Sequence, residues 1–143
     1  MKRFHLRRAS AFALALCLPL SLAAVPKIGV LLKGRNSAFW SAVEKGALAS
    51  AETLGAEVTV KAPLSESDIS VQIQLLNALA AQGAEAIVIA PINQQALAVP
   101  IASIAVRGVK IVVIDTQLTG KAAPVFVGTD QAAAGQAAGR LLA

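Results

Sequence analysis

Apolar residues fall into two rhythms along this chain. Unbroken runs at residues 28–32, 86–90 and 111–114 are bounded by polar positions, as expected of strands covered on both faces. Between them, apolar residues recur every three or four positions, the spacing of a helix with one buried stripe. The first such stretch extends to about Leu54, with Trp40, Val43, Ala47, Ala51 and Leu54 on the stripe and Glu44, Lys45 and Glu52 off it. The second, about residues 67–82, puts Ile69, Ile73, Leu76 and Ala80 on the stripe and Gln72, Gln74 and Asn77 elsewhere. The third covers about residues 94–106, where Pro100 predicts a kinked first turn or a start near that proline. Residues 57–62 alternate, with Val58 and Val60 on one face, and predict a strand that Pro63 ends. Residues 125–127 predict a short strand, and Thr129-Asp130 opens an Ala-rich helix running to the last residue, Ala143.

The joints between these elements carry their own signals. Asn36 or Ser37 can cap the first helix with a side-chain oxygen, and Ser65-Glu66-Ser67-Asp68 marks the start of the second. Glycine, one or two residues, a charge and then a strand follow a helix three times: Gly55-Ala56-Glu57, Gly83-Ala84-Glu85 and Gly108-Val109-Lys110. Repeated units of this kind force a parallel sheet with helical crossovers. The expected fold is α/β: an open parallel sheet with helices on both faces. No linker divides it, so it reads as one lobe.

Composition changes the picture at the amino end. Lys2, Arg3, Arg7 and Arg8 account for four of thirteen basic residues, so the remaining nine nearly balance eight acids. No basic patch is evident, and aromatics make up only 3% of the chain, which excludes a stacking platform for nucleic acid. The four charges precede an apolar run at residues 11–22, broken by Pro19, and Ser21-Leu22-Ala23 fits small-x-small cleavage. Residues 1–23 therefore read as an export signal cut after Ala23. An uncleaved anchor is the alternative, but the run is shorter than the ~20 residues a spanning helix needs. Cys17, the single cysteine, follows Leu16 where a lipidation motif carries a small residue, and no intramolecular disulfide can form. Ala9-Ser10 follows Arg7-Arg8 where a twin-arginine signal prefers bulky apolar residues. The only histidine, His5, lies in the signal, so cleavage would remove histidine chemistry.

In an open parallel sheet, ligands bind outside the carboxyl ends of the strands. That rule selects residues 33–40, 62–64, 90–93, 115–117 and 129–131. Phe39 and Trp40 are aromatic at such an end and could stack on the C–H face of a sugar ring. Trp40 lies on the helical stripe and fits a core anchor equally well, whereas Phe39 lies off it. Asp115 directly follows an apolar strand, where its carboxylate can accept hydrogen bonds from vicinal hydroxyls or an ammonium group. Asp130 can cap the last helix or touch a ligand, and Thr129 and Gln131 share that ambiguity. Lys33 could contact an anion or hydroxyl; Arg35 fits solvated surface better, and Asn93 fits a helix cap. No dinucleotide glycine motif, phosphate loop, nucleophile elbow or metal-ligand spacing occurs, so no enzyme and no cofactor are expected.

An ordered set of segments then points to a family. Lys-Ile-Gly-Val-Leu-Leu followed by Asn36-Ser37-Ala38-Phe39-Trp40, then Ala86-Ile-Val-Ile-Ala-Pro91, Ile111-Val-Val-Ile-Asp115 and Val127-Gly-Thr-Asp130, resembles the sugar-binding periplasmic proteins of ABC importers. These are the ribose/galactose-binding type, whose fold is shared with the ligand-binding part of LacI-type repressors. The resemblance implies a flavodoxin-like, type I periplasmic-binding-protein lobe that closes with a second lobe on a small solute and delivers it to a membrane permease. It matches Phe39 and Trp40 to ring-stacking aromatics, Ser37 to a position where Asn often bonds the sugar, and Asp115 to a hydroxyl-binding aspartate. Thr116 stands where ribose-type members carry Arg, Ala90 where they can carry Asn, and Lys33 where a small polar residue is expected, which disfavours ribose itself. Residues 24–143 look like the amino-terminal lobe alone, truncated within its fourth helix, with the lobe's last strand missing. The alternative is a self-associating periplasmic sensor lobe that presents a ligand to a membrane receptor.

Overall fold

A computed structural model of the chain describes residues 24–120 and 125–142. The proposed signal at residues 1–23 lies outside the described residues. Strands and helices alternate: β1 (Lys27–Leu31), α1 (Ala38–Leu54), β2 (Glu57–Lys61), α2 (Ile69–Ala81), β3 (Ala86–Ile89), α3 (Ala98–Ala105), β4 (Lys110–Ile114), then β5 (Val125–Val127) and α4 (Gln131–Leu142). All four strand pairings are parallel, and the sheet order is β2-β1-β3-β4-β5. This is the flavodoxin-like order, with its reversal of direction at β1 and β3. Among the described residues, no helix is long and apolar enough to cross a membrane.

Local chemistry sets most of the helix ends. Gly55, at φ 63°, takes the left-handed turn that stops α1, and its N–H returns to the Ala51 carbonyl. The glycines of the two later joints, Gly83 and Gly108, also have positive φ. Ser37 caps α1: its Oγ accepts from the Trp40 amide at 3.2 Å. Asn93 Oδ1 accepts from the amides of Gln95 and Ala96, so it caps the turn that precedes α3. That helix begins at Ala98 rather than Gln94, with Pro100 in its first turn, where a missing N–H is harmless. Asp68, at the N-cap of α2, makes no side-chain capping bond.

Two apolar clusters sandwich the sheet. One joins Leu31, Ile87, Ile89, Ile111 and Val113 to Leu76 and Leu79 of α2 and Ile101 and Ile104 of α3. The other joins Val30, Leu32 and Ala90 to Trp40 of α1, flanked by Val43, Ala47, Val58, Val60, Val88 and Ile114.

The helix stripes differ from the expected ones in two places. Leu54, at the frayed end of α1, is 74% exposed. On α2 the deepest positions are Gln72, Leu76 and Leu79, with Ile69, Ile73 and Ala80 at the margins. A polar residue sits at the centre of that stripe because buried backbone carbonyls there require a donor. At the far end, all of β5 and the described residues of α4 are exposed. The last helix therefore forms as expected but buries no apolar stripe.

Candidate functional site

The parallel sheet gathers the ends of its strands along one rim, and three chemistries meet there. At Asp115 the chain leaves β4 and turns, with φ 63°. Its N–H is held by the Val127 carbonyl at 3.1 Å, and Thr116 N donates to the Ile114 carbonyl at 2.7 Å. Asp tolerates this left-handed conformation better than most side chains. The turn aims the Asp115 carboxylate at β1.

Lys33, just past β1, meets it. Its Nζ lies 2.6 Å from Asp115 Oδ2 and 2.6 Å from Thr116 Oγ1. The Thr116 hydroxyl in turn donates to Asp115 Oδ2 at 3.0 Å. The lysine side chain is 15% exposed and that of the aspartate 36%, so the pair is half-sheltered. Partial burial acts to raise the Asp115 pKa, but the hydrogen bonds from Lys33 and Thr116 and the positive charge of Lys33 together hold the carboxyl below its ordinary range. The same ammonium lies 5.9 Å from the Trp40 ring centroid, at the outer limit of a cation–π contact.

The two aromatics divide the work of the rim. Trp40 is 4% exposed, belongs to the core beneath α1, and donates its indole N–H to Glu66 Oε1 at 2.7 Å. Phe39 is 58% exposed and meets Trp40 edge-on, with ring centroids 4.8 Å apart. An open hollow of about 320 Å³ is walled by Phe39, Trp40, Asp115, Thr129 and Gln131, among others. A second hollow, about 730 Å³, lies on the other side of Asp115 and includes Thr116, Gln117, Phe126 and Asp130.

Not every expected residue joins this group. Ser37 spends its hydroxyl on the α1 cap and faces a separate hollow with Asn36, Leu64 and Glu66. Asp130 caps α4 through Oδ1, which accepts from Ala133 N at 2.9 Å, and also borders the second hollow. Arg35 is exposed and bonds the Val60 carbonyl.

Three contributors were not expected. Glu66 fixes the Trp40 indole, Phe126 lies beside Asp115 in the second hollow, and Gln72 bonds the roots of two rim loops. Gln72 carried a readable signal, since it lies four and seven residues before Leu76 and Leu79 on the buried stripe. Glu66 and Phe126 carried none.

An exposed ring beside a carboxylate, an ammonium and a hydroxyl can stack on an apolar face while donating to and accepting from adjacent hydroxyls. Among the described residues, no three His, Cys, Asp or Glu side chains cluster as a metal site would need.

Comparison with known proteins agrees with this geometry. The chain is 30% identical over 138 residues to the D-allose-binding periplasmic protein of Escherichia coli K12, covering 92% of this chain and 44% of that protein. It superposes on a periplasmic component of an ABC-type sugar transport system from Hahella chejuensis with TM-score 0.74 and 33% identity, over 79% of this chain and 41% of the other. A carbohydrate transporter solute-binding protein from Agrobacterium radiobacter, solved with D-arabinose, gives TM-score 0.75 and 32% identity, over 80% and 39%. The chain thus spans less than half the length of the relatives it matches. The family profile described as a periplasmic binding protein domain matches residues 28–143. With its parallel sheet in the type I arrangement and a polar, aromatic-edged rim at the strand ends, this chain belongs to the periplasmic binding proteins.

Proposed function

We propose that this chain forms one wall of a carbohydrate-binding cleft in the solute-binding component of an ABC-type sugar importer. The observation that carries the reading is that exposed Phe39 and Asp115 wall one hollow, with Asp115 held by Lys33 and by Thr116, which lines the adjoining hollow. Phe39 stacks on a C–H face of the ring, and Asp115, Lys33 and Thr116 take its hydroxyls. Trp40 backs Phe39 from the core, while Thr129 and Gln131 border the same hollow. Ser37 and Asp130 act mainly as helix caps that hold the rim in place. The D-allose-binding relative and the neighbour solved with D-arabinose favour an aldose or similar polyol. The periplasm is the expected compartment, the segment up to Ala23 the export signal, and a membrane permease the downstream partner. Amino-terminal sequencing of the exported form would then begin at Ala24.

A single wall holds a sugar weakly, because each hydrogen bond lost from the facing wall costs about 1 kcal/mol. Titrating the chain with D-allose should give no micromolar isotherm in a calorimeter. It should instead give weak, saturable NMR shifts at Phe39, Asp115 and Thr129, abolished by Asp115→Ala. Shifts scattered over the surface, or unchanged in the variant, would remove the reading. Micromolar binding would show that one wall suffices.

A second reading is a self-associating lobe that presents a ligand to a membrane receptor. The exposed edge of β5 and the uncovered α4 favour it. Light scattering that stays monomeric over a wide concentration range would exclude it.

A further inference from the structure

Leu32 and Ala90 are fully buried where two neighbouring strands run out. The last rungs there are Leu32 N to the Lys61 carbonyl and Ala90 N to the Leu31 carbonyl, each 2.9 Å. Past those rungs the chains diverge into loops, and buried carbonyls need other donors. Gln72, itself 0% exposed, reaches across from α2. Its Nε2 donates to the Ala90 carbonyl at 2.8 Å and the Leu32 carbonyl at 3.2 Å, and its Oε1 accepts from Ile92 N at 2.9 Å. Both amide protons and one lone pair are used, and the reverse amide orientation would set an oxygen against two carbonyls.

We infer that Gln72 is a positioning residue of the binding rim: it clamps the roots of the loops that carry Lys33 and Asn93, and so sets where Lys33 meets Asp115 and Thr116. Lys33 directly follows Leu32, whose carbonyl Gln72 holds. The contacts it makes are short, 2.6 Å to each partner, so a displacement of its root by roughly 1 Å lengthens them or forces the side chain into another rotamer. A Leu or Met in place of Gln72 would fill the same space and keep the stripe apolar. It would leave the two carbonyls to find water or turn outward, and turning outward moves the loops.

This inference deepens the carbohydrate reading, which makes Lys33 and Asp115 the polar head of the site, but its test needs no sugar. Gln72→Met, in the full chain, keeps volume and removes every bond. Leu79→Ala on the same helix is the control, since Leu79 is buried yet touches no rim carbonyl. Melting temperature and the ¹³C titration of the Asp115 carboxyl are measured for both. Both variants should melt lower than the parent. Only Gln72→Met should shift the Asp115 titration upward, toward the value found when Lys33 is replaced by Met. An unmoved Asp115 titration in a folded Gln72→Met protein, or an equal shift in Leu79→Ala, overturns the inference. A further measurement uses the parent protein and does not depend on the variant folding. The Gln72 carboxamide protons should exchange with solvent as slowly as the strand amides of β3. Exchange at the rate of an exposed amide overturns the clamp.

Discussion

Asp115 joins an unusual backbone to an unusual charge environment. A left-handed aspartate costs of order 1 kcal/mol unless its surroundings hold it, and here the Val127 carbonyl and the Lys33 ammonium both do. The carboxyl therefore titrates below the aspartate norm of about 3.9. The sign of the linkage follows. With the folded-state pKa depressed, the pair's contribution to stability is fully present above the unfolded value and is lost as pH falls through the lower folded value. Lys33→Met should raise the Asp115 pKa, because burial is then opposed only by the Thr116 hydrogen bond. A ¹³C titration reads the pKa, and melting curves of parent and variant should converge as pH drops below about 4. Candidate chemistry at this position was legible because a carboxylate closing an apolar strand has few purposes. The direct pairing with Lys33 was not, since the two lie far apart in sequence and only the strand order brings them together. Phe39 and Trp40 were separable in part: the helical stripe included Trp40, which the fold buries, and omitted Phe39, which it exposes.

At the scale of elements, α2 packs closely on β1. A Cβ built at Gly29 would lie 3.0 Å from Leu79 Cδ1, so the glycine lets the helix sit down on the strand. Gly29→Ala should destabilise by about 1–3 kcal/mol through overpacking, read as a lower midpoint in chemical unfolding with an unchanged slope. In combination with Leu79→Ala, the joint loss should be less than the sum of the two separate losses, because the new methyl enters part of the space vacated. Ser37→Ala should cost about 1 kcal/mol by freeing the Trp40 amide at the start of α1. Strands and their glycine stops were legible because a short apolar run between polar residues fits few other structures. The start of α3 was less so: residues 94–97 continue the apolar rhythm as a turn, with Leu97 fully buried outside the helix. The buried side of α2 was misjudged at Gln72 because composition treats Gln as polar surface, whereas strand-end carbonyls demand it inside.

At the scale of the molecule, helices cover the two faces unequally. Val88, Val112 and Ile114 stay only partly buried on the α1 side, and β5 forms an edge with all three residues exposed. An exposed apolar edge is open to pairing. If the lobe self-associates through it, a sedimentation experiment should show concentration-dependent dimers in the parent protein and monomers in Val125→Lys. Equal behaviour of the two would place any association elsewhere. The sequence could not show that α4 lies off the sheet, because an Ala-rich stretch has small side chains all round and so reads the same packed or free.

The order of the sheet also dictates an order in time. Among the described strands β1 comes first in sequence, yet it ends in the interior, between β2 and β3. In a chain that emerges amino end first, β1 can gain one neighbour once β2 follows, but its other side stays unpaired until the whole of α2 and then β3 have appeared. The apolar strand end Val30-Leu31-Leu32 must wait through that interval with its β3-facing hydrogen-bonding groups unpaired in the sheet. Each later strand can dock on one already made, β2 and β3 on β1, β4 on β3 and β5 on β4, so β1 is the seed on which the sheet is built. Until residues near Ile89 are available, one edge of β1 stays open to wrong partners, which places the hazard of misfolding early in the life of each chain.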